Sequence, residues 1–157
     1  MLSGDRLFCL FIEDYLVGDQ FSDWPLHITL VPWFRTDVAK DILISDANKL
    51  LAEHKTFKLT VKGEDKFGKR KSKLVNLIED NSELIPLEKD LRQLLKGYSS
   101  WIVDESTRQK LNFRPHISVQ KSERVYEGDE LKINAVYLVE QKGKYKEVAA
   151  VIKLKND

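Results

Sequence analysis

Two of the three histidines in this sequence begin the same four-residue pattern: a histidine, an apolar residue, a hydroxyl residue and a second apolar residue. The first pattern is HITL (27–30) and the second is HISV (116–119). Alternate residues of a β-strand point to the same face, so each pattern predicts an imidazole beside a hydroxyl on one face of a strand. Either pattern alone is typical of a half-exposed strand, but the recurrence indicates two halves of one site.

Two imidazoles suit phosphoester chemistry. Because the ordinary pKa of histidine is about 6.5, one ring can be neutral and accept a proton while the other is protonated and donates one. Attacking and leaving oxygens lie roughly in line at phosphorus, so His27 and His116 would have to flank it. Thr29 and Ser118 would then donate hydrogen bonds to the non-bridging oxygens, where charge accumulates. This chemistry requires no metal and no cofactor.

The hydrophobic periodicity predicts an α+β domain in which these patterns lie on strands. The segments that alternate or are continuously apolar predict strands over 7–12, 26–31, 57–63, 73–79, 116–121, 130–141 and 146–155. Helical spacing predicts helices over 38–54 and 82–98, the second with Ser82 as N-cap and Gly97 as C-cap. Pro32 is expected to end its strand, and Gly143 predicts a hairpin. One histidine strand precedes the first helix and the other follows the second, which indicates a two-fold repeat.

Composition limits the classes of protein that fit. The chain has 157 residues with no evident linker, so one domain over 1–157 is expected. With 26 basic and 25 acidic side chains it lacks the basic excess typical of proteins bound to long nucleic acid, although a small nucleotide or an RNA end remains compatible. The basic run KRKSK (69–73) is interpreted as a solvated loop.

We expect a monomeric protein located in the cytoplasm. No apolar stretch is long enough for a membrane span. The single cysteine, Cys9, is expected in the core of a protein from a reducing compartment. His54 is expected to be a solvated cation near the end of the first helix.

The two patterns resemble the paired H-x-T/S-x motifs of the two-histidine (2H) phosphoesterase superfamily, in particular its bacterial 2′-5′ RNA ligase-like branch. The segment FGKRKSKLVNLIEDNSELIPLEKDLRQLL (67–95) is similar to the stretch between the motifs of that family, and the closing strands around YLVEQKGKYKEV match in order. The resemblance covers most of the chain from Leu7 onward.

The resemblance implies a bilobal fold of two pseudo-symmetric lobes, each with an antiparallel sheet and helix, around a central cleft. It implies that His27 and His116 are catalytic and that Thr29 and Ser118 bind phosphate. The substrate-binding residues that it further implies are Lys121, Arg114 and Phe67. The substrate would be a nucleotide or an RNA end.

The chain departs from the family pattern in three places. Members usually have a helix between the first strand and the first motif, whereas residues 13–26 are too few for it, which predicts that one wall of the cleft is absent or remodelled. Ser118 replaces the commoner threonine and keeps the hydroxyl. Pro32 falls where an aromatic residue is common, with Trp33 directly after it.

Three functions fit these residues. The first is a metal-independent phosphodiesterase that acts on a cyclic phosphate or a 2′-5′ linkage, in the direction of hydrolysis or of ligation. The second is a module that binds a nucleotide or an RNA end in the same cleft without turnover. The third is a metal site built on His27 and His116, which the absence of a His-x-His, a cysteine pair or an evident carboxylate triad disfavours.

Overall fold

The computed structural model describes residues 3–98, 100–102, 113–121 and 123–156. Within these ranges the chain forms ten strands and two α-helices. In chain order they are β1 (Ser3–Phe11), β2 (Gln20–Phe21), β3 (His27–Thr36), α1 (Lys40–Leu51), β4 (Phe57–Phe67), β5 (Lys73–Ile78), α2 (Leu84–Lys96), β6 (Ser100–Ile102), β7 (His116–Ser118), β8 (Glu130–Ile133), β9 (Ala135–Lys142) and β10 (Tyr145–Lys153). A short 3₁₀ helix, Lys69–Lys71, lies between β4 and β5.

The strands form two antiparallel sheets of unequal size. The larger sheet has the order β2-β10-β9-β1-β3-β6 and the smaller one the order β7-β5-β4-β8. β3, which carries HITL, therefore belongs to the larger sheet, and β7, which carries the start of HISV, forms an edge of the smaller one. The predicted α+β class is confirmed, with one histidine pattern in each sheet.

The helices are amphipathic and cover one face of the larger sheet. The fully buried stripe of α1 is Leu43, Ala47 and Leu51, and that of α2 is Leu84, Leu87, Leu91 and Leu95. These residues pack in one core with Phe8 and Leu10 of β1, whose side chains point to the helix side. Burial of this apolar surface is the main term that stabilises the arrangement.

The opposite face of the same sheet carries a second apolar cluster. Leu7, Cys9 and Phe11 of β1 alternate with the residues that face the helices, and they pack beside Trp24 and Trp33. Cys9 is buried and is not in a disulfide, as predicted, and its burial raises the pKa of the thiol. Since His27 and Thr29 are the cross-strand partners of Phe11 and Cys9, the first histidine pattern lies on this face.

Pro32 does not end its strand, contrary to prediction. Arg6 is paired with Phe34 and Phe8 with Val31, so β3 has one residue more than β1 in this interval. This β-bulge contains Pro32 and Trp33. A bulge tolerates proline because the ladder is interrupted there and the missing N–H is not required.

The predicted strand over 130–141 is two strands that lie in different sheets. β8 pairs with β4 in the smaller sheet, and β9 pairs with β1 and β10 in the larger one. The chain crosses between the sheets at Asn134, whose carbonyl accepts a hydrogen bond from the N–H of Leu154 at 2.9 Å. β8 alternates between exposed and buried residues, whereas the first six residues of β9 are all buried.

Of the three predicted cap and turn residues, one differs from the structure. The N-cap prediction for Ser82 is wrong: the Oδ1 atom of Asn81 accepts hydrogen bonds from the N–H groups of Glu83 and Leu84, at 2.9 and 3.1 Å. Gly97 is the C-cap of α2, as predicted. Gly143, with a φ of 65°, lies in the β9–β10 hairpin, as predicted.

His54 is less exposed to solvent than the sequence predicts. It follows α1, its side chain is only 19% exposed, and its Nε2 atom lies 2.8 Å from Oδ2 of Asp90 on α2. The residue therefore joins the two helical segments. In the part of the chain that the structure describes, no helix has the length and apolar character that crossing a membrane requires.

Candidate active site

The two histidine patterns line one cavity of about 320 Å³ between the sheets. His27 and Thr29 enter it from β3, and His116 and Ser118 enter it from β7. Ile28, Leu30 and Ile117, the intervening apolar residues, are fully buried in the core behind the two strands. The alternation that the sequence predicts therefore places both imidazoles and both hydroxyls in a common space.

The two imidazoles are held in the same way. Nδ1 of His27 lies 2.8 Å from the carbonyl oxygen of Pro25, and Nδ1 of His116 lies 2.8 Å from that of Arg114. A carbonyl oxygen only accepts hydrogen bonds, so Nδ1 is the donor in both rings. In the neutral form of each ring the lone pair is then on Nε2, the nitrogen that can take up or release a proton.

The aromatic neighbours of the two histidines differ. The indole of Trp24 stacks on His27, with ring centroids 4.2 Å apart and an angle of 28° between the planes. The ring of Phe67 meets His116 edge to face at 4.5 Å and 62°. His27 is thus covered on one face by a large apolar surface, whereas His116 has an aromatic edge contact.

This environment makes His27 a weak base. Burial, which disfavours the charged ring, lowers the pKa of His27 to about 4, and the positive charges of His116 and Lys73 act in the same direction. The hydrogen bond to Pro25 opposes the change without cancelling it. His27 is therefore neutral at pH 7 and can accept a proton.

The hydroxyls of Thr29 and Ser118 line the cavity without a hydrogen-bonding partner among the described residues. Thr29 is opposite Cys9 in the β1–β3 ladder, and Ser118 is opposite Val75 in the β5–β7 ladder. Neither neighbour competes for the hydroxyl. Both groups are consequently able to donate to a ligand in the cavity.

The other predicted substrate-binding residues differ in whether they adjoin the histidine cavity. Phe67 contacts His116 and so adjoins the cavity. Arg114 does not line it: its guanidinium lies 4.9 Å from the ring centroid of Phe67 and forms an ion pair with Asp65 at 3.0 Å. That pairing contributes to the lowered pKa of Asp65, after the backbone hydrogen bond from Lys66. Lys121 lines two neighbouring cavities instead of the one that holds the histidines.

The residues that line this cavity and that the sequence prediction of the site omits include Lys73, Trp24, Trp33 and Gln120. Lys73 belongs to the basic run interpreted as a solvated loop; it is exposed, but it begins β5 and lines the cavity. Arg70 and Lys71 of the same run are exposed, as predicted.

Trp24 belongs to the connection between β1 and β3. No helix occurs in this connection, as predicted, and its single regular element is the two-residue strand β2. Trp24 forms part of the cavity wall and contacts His27. No group of three or more histidine, cysteine, aspartate or glutamate side chains is positioned to hold a metal ion within the described ranges.

Comparison with known proteins identifies the family. Residues 13–149 match the 2′-5′ RNA ligase superfamily. Since the match extends over most of the chain, the protein belongs to this superfamily, the group of 2H phosphoesterases and related ligase-like proteins. A comparison with curated proteins finds no match.

Solved structures with the same fold are distant in sequence. TT0787 of Thermus thermophilus is 17% identical with a TM-score of 0.61, and the alignment covers 98% of this chain and 99% of that one. E. coli LigT complexed with 3′-AMP is 14% identical with a TM-score of 0.61, and 97% of this chain and 98% of LigT are covered. A structure described as a phosphoesterase gives 14% identity and a TM-score of 0.61 over 98% of this chain and 99% of that chain. These similarities establish the fold.

Proposed function

We propose that this protein is a metal-independent phosphodiesterase that hydrolyses a cyclic phosphate, or a 2′-5′ linkage, on a nucleotide or RNA end. The observation that carries the proposal is the pair of imidazoles in one cavity, each with Nδ1 held by a backbone carbonyl and with a hydroxyl two residues further along its strand. This is the set of groups that in-line displacement at phosphorus needs.

The environments of the two histidines divide the roles. His27, neutral because its pKa is about 4, takes a proton through Nε2 from a water molecule as that water attacks phosphorus. One ester bond between phosphorus and a ribose oxygen breaks, and protonated His116 gives its proton to that oxygen. A 2′,3′-cyclic phosphate plus one water then becomes a phosphomonoester, and the two histidines exchange protons with solvent to complete the cycle.

The hydroxyls of Thr29 and Ser118 donate hydrogen bonds to the non-bridging oxygens. Because charge grows on these oxygens in the transition state, donors positioned beforehand stabilise it more than the ground state. The backs of both strands are buried, so the positions of these donors are fixed by the core. Thr29 and Ser118 would act from opposite lobes on the same phosphoryl group.

Nucleotides are the substrates that the comparisons favour. The LigT structures similar to this chain include complexes with 3′-AMP, NADP⁺, ATP and phosphate. These complexes are evidence of nucleotide binding by LigT. Carried to this chain, they support a phosphate anion held between the histidines with a nucleoside attached.

Turnover separates the enzyme from a binding module with the same cleft. Purified protein should be incubated with 2′,3′-cyclic nucleotides and 2′-5′ dinucleotides in the presence of a chelator, with products followed by ³¹P NMR. We expect conversion of at least one substrate class to a phosphomonoester at an unchanged rate when chelator is added. Saturable binding of every substrate without any product would support the binding module instead.

A further inference from the structure

We propose that Lys73 is the cation that holds the substrate phosphate in the histidine cavity, in place of Lys121, which follows the second motif in the sequence. This inference rests on the proposed function, because it concerns how the same cavity binds its phosphate. It assigns a substrate-contacting role to a residue at the end of the polar loop between β4 and β5. Position, charge balance and backbone geometry all favour Lys73.

The position of Lys73 follows from strand pairing. Lys73 begins β5 and is the cross-strand partner of Phe67 at the end of β4. Partners in an antiparallel ladder present their side chains on the same face, and the Phe67 ring contacts His116. Lys73 lines the histidine cavity with His27, and its positive charge is among the influences that lower the pKa of His27.

No carboxylate among the described residues forms an ion pair with Lys73, and none of them lines the histidine cavity. Nearby arginines are neutralised: Arg114 pairs with Asp65 at 3.0 Å and Arg124 with Glu64 at 2.6 Å. An unpaired ammonium beside two phosphate-directed hydroxyls is suited to a phosphodiester, whose single negative charge it would offset.

Lys121 lies in a different electrostatic setting. The two cavities that it lines also contain carboxylates, from Glu13 and Glu123 in one and from Asp23 and Glu123 in the other. Lys121 therefore shares both of its cavities with carboxylates, whereas no carboxylate among the described residues lines the histidine cavity. These cavities are suited to polar groups of the substrate beyond the phosphate.

The backbone conformation between β4 and β5 places Lys73 beside the cleft. Gly68 has a φ of 86°, and Arg70 and Lys71 have φ values of 61° and 50°. Left-handed conformations are costly for residues with a Cβ and occur mainly where surrounding structure or function requires them. Here they reverse the chain in a tight turn, so that Phe67 and Lys73 are paired at its two ends.

The test compares Lys73→Met with Lys121→Met. Lys71→Met is the control for an exposed cation of the same loop. Lys73→Arg keeps the positive charge and tests whether that charge is sufficient for binding. KM and kcat are measured with a 2′,3′-cyclic nucleotide, and binding of inorganic phosphate and 3′-AMP is measured by calorimetry. Loss of one charge-assisted hydrogen bond predicts a roughly 10- to 100-fold weaker phosphate affinity and higher KM for Lys73→Met. Lys71→Met should match the wild type, Lys121→Met should change far less than Lys73→Met, and Lys73→Arg should recover most of the affinity.

A second readout distinguishes a charge in the cleft from a structural role. Removing the ammonium should raise the pKa of His27, and the acidic limb of kcat/KM should move to higher pH in Lys73→Met but not in Lys73→Arg. The proposal is overturned if Lys73→Met binds phosphate like the wild type, if Lys121→Met has the larger loss, or if the wild type binds no phosphate. Phosphate binding that depends on Lys73 without any turnover would instead overturn the hydrolase proposal and leave this one supported.

Discussion

His27 and His116, on strands of different sheets, each donate a hydrogen bond from Nδ1 to the carbonyl oxygen two residues earlier, and both distances are 2.8 Å. The equivalence fixes the same tautomer in both rings. The surroundings then separate the roles, because the indole of Trp24 covers His27 and burial lowers the pKa of that ring to about 4. In the proposed reaction His27 is therefore the base and His116 the acid.

The pH dependence should have an unusually low acidic limb. Protonation of His27 removes the base, and with its pKa near 4 this occurs only well below neutral pH. We expect kcat/KM to stay high as the pH is lowered from 7 to about 5 and to fall as it approaches 4. A profile of kcat/KM at fixed ionic strength measures this. An acidic limb near the ordinary histidine value of about 6.5 would show that His27 is not the base.

The pH at which the acidic limb of kcat/KM falls should depend on Trp24. Trp24→Leu opens one face of His27 to water, so the pKa of the ring should rise towards its ordinary value and the acidic limb should move to higher pH. Trp24→Phe keeps an aromatic ring in place and should move it much less. NMR titration of His27 in both variants gives the pKa directly. An unchanged titration in Trp24→Leu would contradict burial by Trp24 as the cause.

The cavity hydroxyls should matter for turnover and little for folding. Ser118→Ala removes a donor directed at developing charge, and by analogy with an oxyanion-hole donor it should lower kcat roughly 10²- to 10³-fold. Thr29→Ala should behave alike because it occupies the matching position on β3. Ser118→Thr retains the oxygen and should keep most of the activity. The three kcat values are the measurement, and a silent Ser118→Ala would mean that the hydroxyl is only a surface group.

The buried ion pair between Arg6 and Glu140 should stabilise the fold next to α1. Arg6 Nε lies 2.8 Å from Glu140, whose side chain is 10% exposed, and Lys40 of α1 bonds to the same carboxylate at 3.1 Å. Burial raises the pKa of Glu140, but the bonds from Arg6 and Lys40 outweigh it and the pKa is lowered overall. Arg6→Met should cost roughly 3–5 kcal/mol in the free energy of unfolding, at the lower end if Lys40 compensates.

Denaturant titration of Arg6→Met and of the double variant Arg6→Met/Glu140→Met tests this. The double variant should recover much of the loss, because no uncompensated carboxylate remains buried. In the wild type the contribution of Glu140 should be present at neutral pH and decline as the pH falls through its folded-state pKa. A double variant less stable than Arg6→Met would contradict the explanation.

Features of the fold and of the site that depend on local hydrophobic periodicity are predictable from the sequence. A period of two places His27 and Thr29 on one face of β3 and His116 and Ser118 on one face of β7, and the structure has both pairs in one cavity. The apolar stripes of α1 and α2 were likewise predicted from a period near 3.6. Hydrophobic periodicity indicates which face of a strand or helix is buried, so burial is the feature that it predicts well.

Features that depend on long-range pairing were not predictable in this way. Lys73 sits in a run of cations with the same composition as a solvated loop, and its pairing with Phe67 is what brings it to the cavity. Asn134 is a single residue between the alternating strand β8 and the continuously buried start of β9, and a single residue does not by itself indicate that the chain changes sheets. Trp24 contacts His27 from an irregular connection, in which no hydrophobic periodicity predicts where a side chain lies.

The individual histidine variants provide the most direct test of two-histidine catalysis. kcat should be measured with a 2′,3′-cyclic nucleotide, in the presence of chelator, for His27→Ala, His116→Ala, the double variant and the control His54→Ala. His54 bonds to Asp90 away from the cavity, so His54→Ala should lose about 1 kcal/mol of stability and keep its kcat. His27→Ala and His116→Ala should remain folded, and each should lower kcat by a factor of roughly 10²–10⁴. The loss of kcat in the double variant should be far smaller than the product of the two single losses, because the two histidines act as a unit. A folded His27→Ala or His116→Ala with the wild-type kcat would contradict the assignment of both histidines to one catalytic site.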